Sequence, residues 1–234
     1  MWRAEIDGRK LGFHLTGINN QNFLMSDDAT GSWWQQVTGQ ALFGPLKGRR
    51  LDLVFHDEIS FGQWKREHPD GRVLRPDDGA PWREFSKDWE VETAGLPVTV
   101  AARPGDLLKP RDLVVGLRAG GAARAYLLET IRNQSPVQDE VGGVPVVLIV
   151  GEDGRSVRAF ERRLDGRELN LFRKPGPDFR LVNAETGSEW SFAGEAVAGP
   201  LAGKKLAKVF VLKDYWFDWR GYNSETSVYG LRRR

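Results

Sequence analysis

The chain has 234 residues, 40% of them hydrophobic and 11% aromatic, so it can bury a sizeable core and is not expected to be disordered. Its 34 Lys and Arg nearly balance 32 Asp and Glu, and a net charge of +2 gives no indication of a nucleic-acid partner. It contains no cysteine, which excludes disulfides, thiolate catalysis and Cys-ligated zinc.

The first ten residues, MWRAEIDGRK, contain no apolar run that could serve as a signal peptide. No window of the sequence approaches the roughly 18 apolar residues that a membrane span needs. We therefore expect no membrane span, and the sequence leaves the cellular compartment open.

The first third of the chain is predicted to form short strands joined by turns, because 27 Gly and 12 Pro divide the sequence into short segments. DGRKLGFHL alternates around a glycine turn, TGS opens a second turn, and GPLKG joins two short strands. FGQWKREHP then places Phe61 and Trp64 three residues apart, on one face of a short helix that Pro69 ends.

The middle of the chain is predicted to contain a linker followed by strands. RPDDGAPWREFSKDWEVETAGLP, rich in Pro, Gly and charged residues, indicates a linker over residues 77–110 with little regular structure. DLVVGLRAGGAARAYLLETIR begins as a strand, turns at Gly120 and Gly121, and continues either as a strand or as a short helix ending near Asn133. VPVVLIV and SVRAFERRL then form a β-hairpin around the turn EDG at 152–154.

A phrase from the first part of the chain returns near its end. TGSWWQQVTGQALFGPLKGRRL at residues 30–51 recurs as TGSEWSFAGEAVAGPLAGKKL at residues 186–206. With the flanking matches, roughly 65 to 70 residues are repeated, which is too long for a single turn motif. The second copy also ends in an aromatic segment with the spacing of a short helix, YWFDWRGYN. We expect residues 24–74 and 181–229 to superpose.

This repeat predicts the architecture. We expect a mainly β protein, of the β-rich α+β class, with at least twice as many residues in strands as in helices. Two related β modules, which arose by an internal duplication, are each closed by a short aromatic helix. The first, incomplete module covers residues 1–76, and a complete second module covers residues 111–234 beyond the linker.

The nine tryptophans allow two interpretations. Flat aromatic faces bind sugars and bases, but they also fill cores. Trp34 matches Trp190 and Trp64 matches Trp219, as expected of core anchors in a duplicated fold. The pattern favours the core.

The repeated phrases resemble a bacterial and archaeal family of unknown function, DUF3179. T-G-S-x-W-x-Q-x-x-G-x-A-x-x-GPL-x-G-x-x-L at residues 30–51 and W-x-x-x-x-P-x-x-x-V-L at residues 64–74 carry the resemblance. VVGLRAGGAARAYLL and VGGVPVVLIVGEDGRSVRAF are also similar to family phrases. The resemblance implies an exported protein, although this sequence shows no signal.

The sequence departs from the family pattern in two ways. Gly151 and Gly154 stand where the family has a cysteine pair, so a metal, redox or haem role of such a pair is not expected here. The first module also lacks a counterpart of residues 112–160. Either the sequence is a piece of a longer chain, or those strands were lost and another segment covers the edge that they leave.

Candidate site residues are those whose chemistry differs between the two copies. HLTGINNQNF at residues 14–23 is polar where the second copy has LFRKPGPDF, and Gln35-Gln36 corresponds to Ser191-Phe192. The candidates for ligand binding are His14, Asn19, Asn20, Asn22, Trp33, Gln35 and Gln36. Strand alternation places Trp33 and Gln35 on one face, which we expect to line the site, and Trp34 on the core face. Alternatively, the asparagines only satisfy a turn.

No known catalytic constellation accompanies these residues. Nucleophile-elbow, Walker, HExxH, dinucleotide-binding and EF-hand motifs are all missing, and the three histidines lack ligand spacing, so we expect no metal and no cofactor. The preferred hypothesis is a non-catalytic binding or structural module with a small polar ligand or a protein as partner. The alternative is a cofactor-free hydrolase-like enzyme that uses His14, residues 19–22 and a nearby carboxylate. A pocket that joins His14 to Asp or Glu would favour the enzyme, and a solvated His14 the binding module.

Overall fold

A computed structural model describes residues 1–19, 22–74, 88–101, 104–176 and 178–231. Asn20 of the predicted site and much of the predicted linker lie outside these residues. The prediction of a β-rich fold is confirmed, because the described part contains 19 strands and only four seven-residue helices. No helix within these ranges is both long and apolar enough to cross a membrane.

The first part of the chain forms a small hairpin, a four-stranded sheet and two helices. The strands β1 and β2 pair antiparallel, and β3 to β6 form an antiparallel sheet in chain order, with a bulge in β3. These elements are β1 (Glu5–Ile6), β2 (Arg9–Lys10), β3 (Phe13–Asn19), β4 (Asn22–Asp27), β5 (Trp33–Gln35), β6 (Ala41–Phe43), α1 (Phe61–Glu67) and α2 (Trp89–Gly95).

The second part contains most of the strands. The elements are β7 (Leu113–Ala119), β8 (Ala122–Leu127), α3 (Leu128–Gln134), β9 (Val137–Val141), β10 (Val144–Val150), β11 (Val157–Glu161), β12 (Arg163–Leu164), β13 (Arg167–Glu168), β14 (Leu171–Arg173), β15 (Leu181–Asn183), β16 (Glu189–Trp190), β17 (Ala196–Ala198), β18 (Phe210–Tyr215), α4 (Trp216–Tyr222) and β19 (Ser227–Val228). Its larger sheets have the orders β11-β10-β9, β14-β15-β16-β17 and β18-β7-β8-β19. The predicted hairpin is present as β10 and β11, which pair with Val147 opposite Phe160.

Both predicted aromatic helices are present, as α1 and α4, and of the two further helices α3 was predicted as an alternative and α2 was not predicted. The segment after Gly121 is first the strand β8 and then the helix α3, so both alternatives are realised in turn. α3 has Leu128 and Ile131 on one buried face. Two apolar residues are too few to distinguish a helical pattern from the strand pattern that precedes it. α2 lies in the predicted linker, where a sequence rich in Pro, Gly and charged residues gave no indication of a helix.

The repeated phrases build the same tryptophan-anchored turn in both sheets. Trp34 is fully buried and donates through Nε1 to Asp27 at 2.8 Å. Trp190 is equally buried and donates through Nε1 to Asn183 at 3.1 Å. The hydroxyl groups of Ser32 and Ser188 each accept a backbone N–H at 3.0 Å, from Leu46 and Leu201. Superposition of the two longer segments stays a prediction.

Glycine is required within this turn for two reasons. Gly44 and Gly199 have φ values of +90° and +87°, where a side chain strains the backbone. A Cβ on either glycine would also lie 2.7 Å from the Cα of Ser32 or Ser188. This close approach explains why the GPL phrase occurs in both copies.

Three of the four tryptophans predicted to anchor the core are buried. Trp34 anchors a cluster under the first sheet, Trp190 anchors a second under β14 to β17, and Trp219 lies in a third against β7. Trp64 is only partly buried and stacks on Phe61 with ring centroids 5.7 Å apart. The largest cluster instead joins β7 and β8 to β9, β10 and β11.

Candidate functional site

The first sheet faces β18 and α4 across a cavity of about 550 Å³. Most of its wall is apolar and comes from both parts of the chain, including Phe13, Met25, Phe210 and Leu212. At one end three polar side chains converge: Asn22, Asp214 and Asp218.

The two aspartates meet because a strand runs directly into a helix. Asp214 lies near the end of β18 and Asp218 in the first turn of α4. Their carboxyl groups are hydrogen-bonded to each other. The backbone N–H of Tyr215 donates to Asp214 at 2.7 Å, and Asn22 Nδ2 donates to Asp218 at 2.5 Å.

Burial and mutual repulsion keep this pair partly protonated. Burial, the neighbouring charge of Asp218 and the more distant Glu58 raise the pKa of Asp214 to about 8. Burial also raises the pKa of Asp218, although hydrogen bonds from Asn22 and Asp214 oppose the rise. At neutral pH Asp214 therefore keeps its proton, which lies in the hydrogen bond between the two carboxyl groups.

Two more of the predicted residues bind α4 to the first sheet. Asn19 Nδ2 donates to Gln35 Oε1 at 3.0 Å, and Gln35 Nε2 donates to the Tyr222 hydroxyl at 3.1 Å. That hydroxyl donates in turn to the backbone carbonyl of Asn19 at 3.0 Å. Gln35 is buried, so this chain of hydrogen bonds satisfies its amide away from water.

The structure joins Asn19, Asn22 and Gln35 to α4, whereas His14, Trp33 and Gln36 take no part in these hydrogen bonds. His14 lies on the exposed side of β3 and contacts Asp28, with 70% of its side chain exposed. Trp33 is 42% exposed and packs edge-on against Phe43. Gln36 is exposed, and its carbonyl, which accepts from Trp2 Nε1 at 2.6 Å, lies at the cavity wall.

Sequence reasoning missed the two aspartates, although the copies contain the signal. By the register of the repeat, Asp214 corresponds to Ile59 and Asp218 to Gln63. Both positions change from neutral to acidic between the copies, which is the same criterion that selected Asn22 and Gln35.

A second polar cluster lies beside the glycines that replace the family's cysteine pair. Asp153 accepts from the hydroxyl groups of Ser60 and Ser156, each at 2.5 Å. Burial opposes ionisation, but these bonds and the N–H groups of Arg155 and Ser156 hold the pKa of Asp153 well below its usual range. Ser60 is also the N-cap of α1, so this cluster ties α1 to the β10–β11 turn.

A metal centre is not indicated by the described side chains, none of whose His, Asp and Glu residues gather in a group of three suited to an ion. The family model of DUF3179, described as a protein of unknown function, matches residues 1–226. No curated protein matches the chain. No solved structure matches it either. Because the family match spans nearly the whole sequence, the chain belongs to the DUF3179 family.

Proposed function

We propose that this protein is a non-catalytic binding module whose site is the cavity between the first sheet and α4. The observation that carries the proposal is the aspartate pair, Asp214 and Asp218, in the wall of a mostly apolar cavity. A cavity of about 550 Å³ has room for a small organic molecule. Apolar walls with a few convergent polar groups of perturbed pKa are typical of ligand sites.

The ligand that fits this chemistry has a hydrogen-bond-donating head and an apolar body. An ammonium group would form charge-assisted hydrogen bonds with the carboxylates of Asp214 and Asp218 and would take the place of their shared proton. The apolar body would lie against Phe13, Met25 and Leu212.

The surroundings of the pair are compatible with a bound cation. Lys213 also borders the cavity, but its ammonium group pairs with Glu58 at 3.1 Å and donates to the carbonyl of Arg155 at 3.2 Å. His56 borders the same cavity. Asn22 donates to Asp218 and supports its ionised form.

Binding is favoured over the hydrolase alternative by the position of His14. Its partner Asp28 is also exposed, with 51% of the side chain accessible, so the two form a surface contact outside the cavity. The asparagine and glutamine side chains instead hydrogen-bond α4 and each other. A base, an acid and an attacking group do not converge around His14 within the described part of the chain.

The test is calorimetric titration at pH 8 with three matched probes: phenethylamine, phenethyl alcohol and hydrocinnamate. We expect phenethylamine to bind most tightly and hydrocinnamate not to bind. Asp218→Asn should weaken phenethylamine binding by about 10-fold or more, as expected for loss of a hydrogen bond to a charged group.

Asp28→Asn is the matched control, because it removes an exposed carboxylate outside the cavity. It should leave the affinity for phenethylamine unchanged. Equal binding of the amine and the carboxylate would contradict the proposal, as would an equal effect of Asp28→Asn and Asp218→Asn.

A further inference from the structure

A second cavity, of about 520 Å³, lies on the other side of Trp2, Leu51 and Phe210, which border both cavities. The charge of its side chains is opposite to that of the aspartate pair in the first cavity. Three cationic side chains border it: Arg50, Arg118 and Lys208. We call it the arginine groove.

Arg118 is the unusual residue of this groove. It lies near the end of β7, is half-buried, and holds its guanidinium 3.9 Å from the ring centroid of Phe210. No carboxylate of the described residues lies within ion-pair distance of it. Burial and the charge of Arg50 lower the pKa of Arg118, which is the signature of a cation without a counter-ion.

Several other arginines in the described part of the chain that are at least half-buried have a counter-ion, whereas Arg111 and Arg180 donate to backbone carbonyls instead. The described pairs are Arg124 with Asp139, Arg158 with Asp57 and Glu67, Arg162 with Glu168, and Arg220 with Asp106. No hydrogen bond or ion pair from a described residue reaches the Arg118 guanidinium, and partial burial of an unpaired charge costs free energy. An anion in the groove would remove that cost.

The remaining charges of the groove leave it positive. Lys208 is neutralised by Asp57, whose two oxygens lie 2.8 Å from its ammonium nitrogen. Asp52 borders the groove, but its carboxylate forms no ion pair with Arg50 or Arg118. The carboxylate of Asp52 is therefore set against the two guanidinium groups of Arg50 and Arg118.

We propose that the arginine groove binds a small organic anion, with its oxyanion head on Arg118 and Arg50. The guanidinium group presents a planar fork of donors that matches the oxygens of a carboxylate or a phosphate. Trp2 and Phe55 offer apolar surface for the rest of the ligand, and Phe55 is 51% exposed. This site does not depend on the aspartate cavity and can be tested separately.

The experiment is calorimetric titration of the full chain with benzoate, phenyl phosphate and inorganic phosphate at low salt. Tighter binding of benzoate would identify a carboxylate site, and tighter binding of phenyl phosphate a phosphate-ester site. Inorganic phosphate should bind at least 10-fold more weakly than phenyl phosphate, because it lacks the apolar body. Arg118→Met should lower the affinity for the preferred probe by 10-fold or more.

Arg49→Met is the matched control, because Arg49 carries the same charge next to Arg50 but is exposed and paired with Asp7 at 2.7 Å. It should leave the affinity unchanged. If Arg118→Met does not fold, Arg50→Met at the exposed side of the groove replaces it, with an expected loss of at least 3-fold. Absence of saturable binding of all three probes, or equal affinities of the groove variant and Arg49→Met, would overturn the proposal. So would a concentration-dependent dimer of the wild-type chain that Arg118→Met abolishes, because the groove would then bind a second copy.

Discussion

At the residue scale, hydrogen-bond donors decide how a withdrawn carboxyl group ionises. Asp153 and Asp214 are both held away from bulk water, yet their pKa values move in opposite directions. Asp153 accepts bonds from two hydroxyl groups and two backbone N–H groups, which stabilise its charge. Asp214 has one backbone donor and a second acid beside it. Asp214, which has fewer hydrogen-bond donors around it, is therefore the acid suited to release its proton when a cationic ligand binds.

The raised pKa of Asp214 makes stability depend on pH. The unfolded carboxyl group titrates near 3.8 and the folded one near 8, so between these values only the folded state keeps the proton. The contribution of Asp214 is fully present below pH 4 and is lost as the pH rises towards 8. We expect Asp214→Asn to remove this fall, as measured by urea unfolding at several pH values. Asp28→Asn should retain it, and parallel curves for wild type and Asp214→Asn would show that the acid titrates normally.

At the element scale, the polar residues of the first sheet fasten a helix from the other end of the chain. Tyr222 of α4 accepts a hydrogen bond from Gln35 and donates one to the carbonyl of Asn19. Asn22 of the same sheet reaches Asp218 one turn earlier in α4. These contacts fix the width of the cavity between the sheet and the helix.

Tyr222→Phe should therefore destabilise the protein. The change removes the acceptor of the buried Gln35 Nε2 and a donor to the carbonyl of Asn19, and we expect a loss of about 1–3 kcal/mol in the free energy of unfolding. Tyr229→Phe is a suitable control, since Tyr229 packs on Tyr126 with ring centroids 5.1 Å apart and its hydroxyl forms no hydrogen bond with the described residues. Urea denaturation of both variants measures the difference, and equal midpoints would refute this role of Tyr222.

The sequence was sufficient for elements whose signal is local. Aromatic spacing predicted α1 and α4, and the apolar run with its EDG turn predicted β10 and β11. It was insufficient for α3, where the strand and helix patterns overlap within a few residues. It was also insufficient for the partners of Asn22 and Gln35, because Asp218 and Tyr222 lie almost 200 positions away. Differences between copies identify such residues, but only tertiary packing shows what they face.

At the scale of the whole molecule, each aromatic helix forms hydrogen bonds with the part of the chain to which it does not belong by sequence. α4 contacts the first sheet, while α1 contacts the β10–β11 hairpin of the second part. Arg158 of β11 forms the centre of the second contact. It is 4% exposed and binds Glu67 through both oxygens, at 2.7 and 2.8 Å, and Asp57 at 2.7 Å.

Arg158→Met should weaken this connection strongly at neutral pH. Burial opposes ionisation of Asp57 and Glu67, and the bonds from Arg158 outweigh it and lower their pKa values. Without the guanidinium, Asp57 keeps Lys208 but Glu67 is left partly buried without a cation, and breaking such a buried pair costs about 3–5 kcal/mol. The loss should shrink as the pH falls through 4 and the acids accept protons. Arg163→Met, at an exposed pair, is the control, and a loss independent of pH would contradict this explanation.

The proposed binding role is tested most directly by the titration of Asp214 itself. The side-chain carboxyl carbons of labelled protein can be followed by NMR from pH 3 to 10, with and without saturating phenethylamine. We predict a midpoint near 8 for Asp214 in the free protein, and a midpoint lower by at least one pH unit with the amine, because a bound cation stabilises the carboxylate. A midpoint near 4 in the free protein, or the same midpoint with and without the amine, would contradict the assignment of this cavity as the binding site.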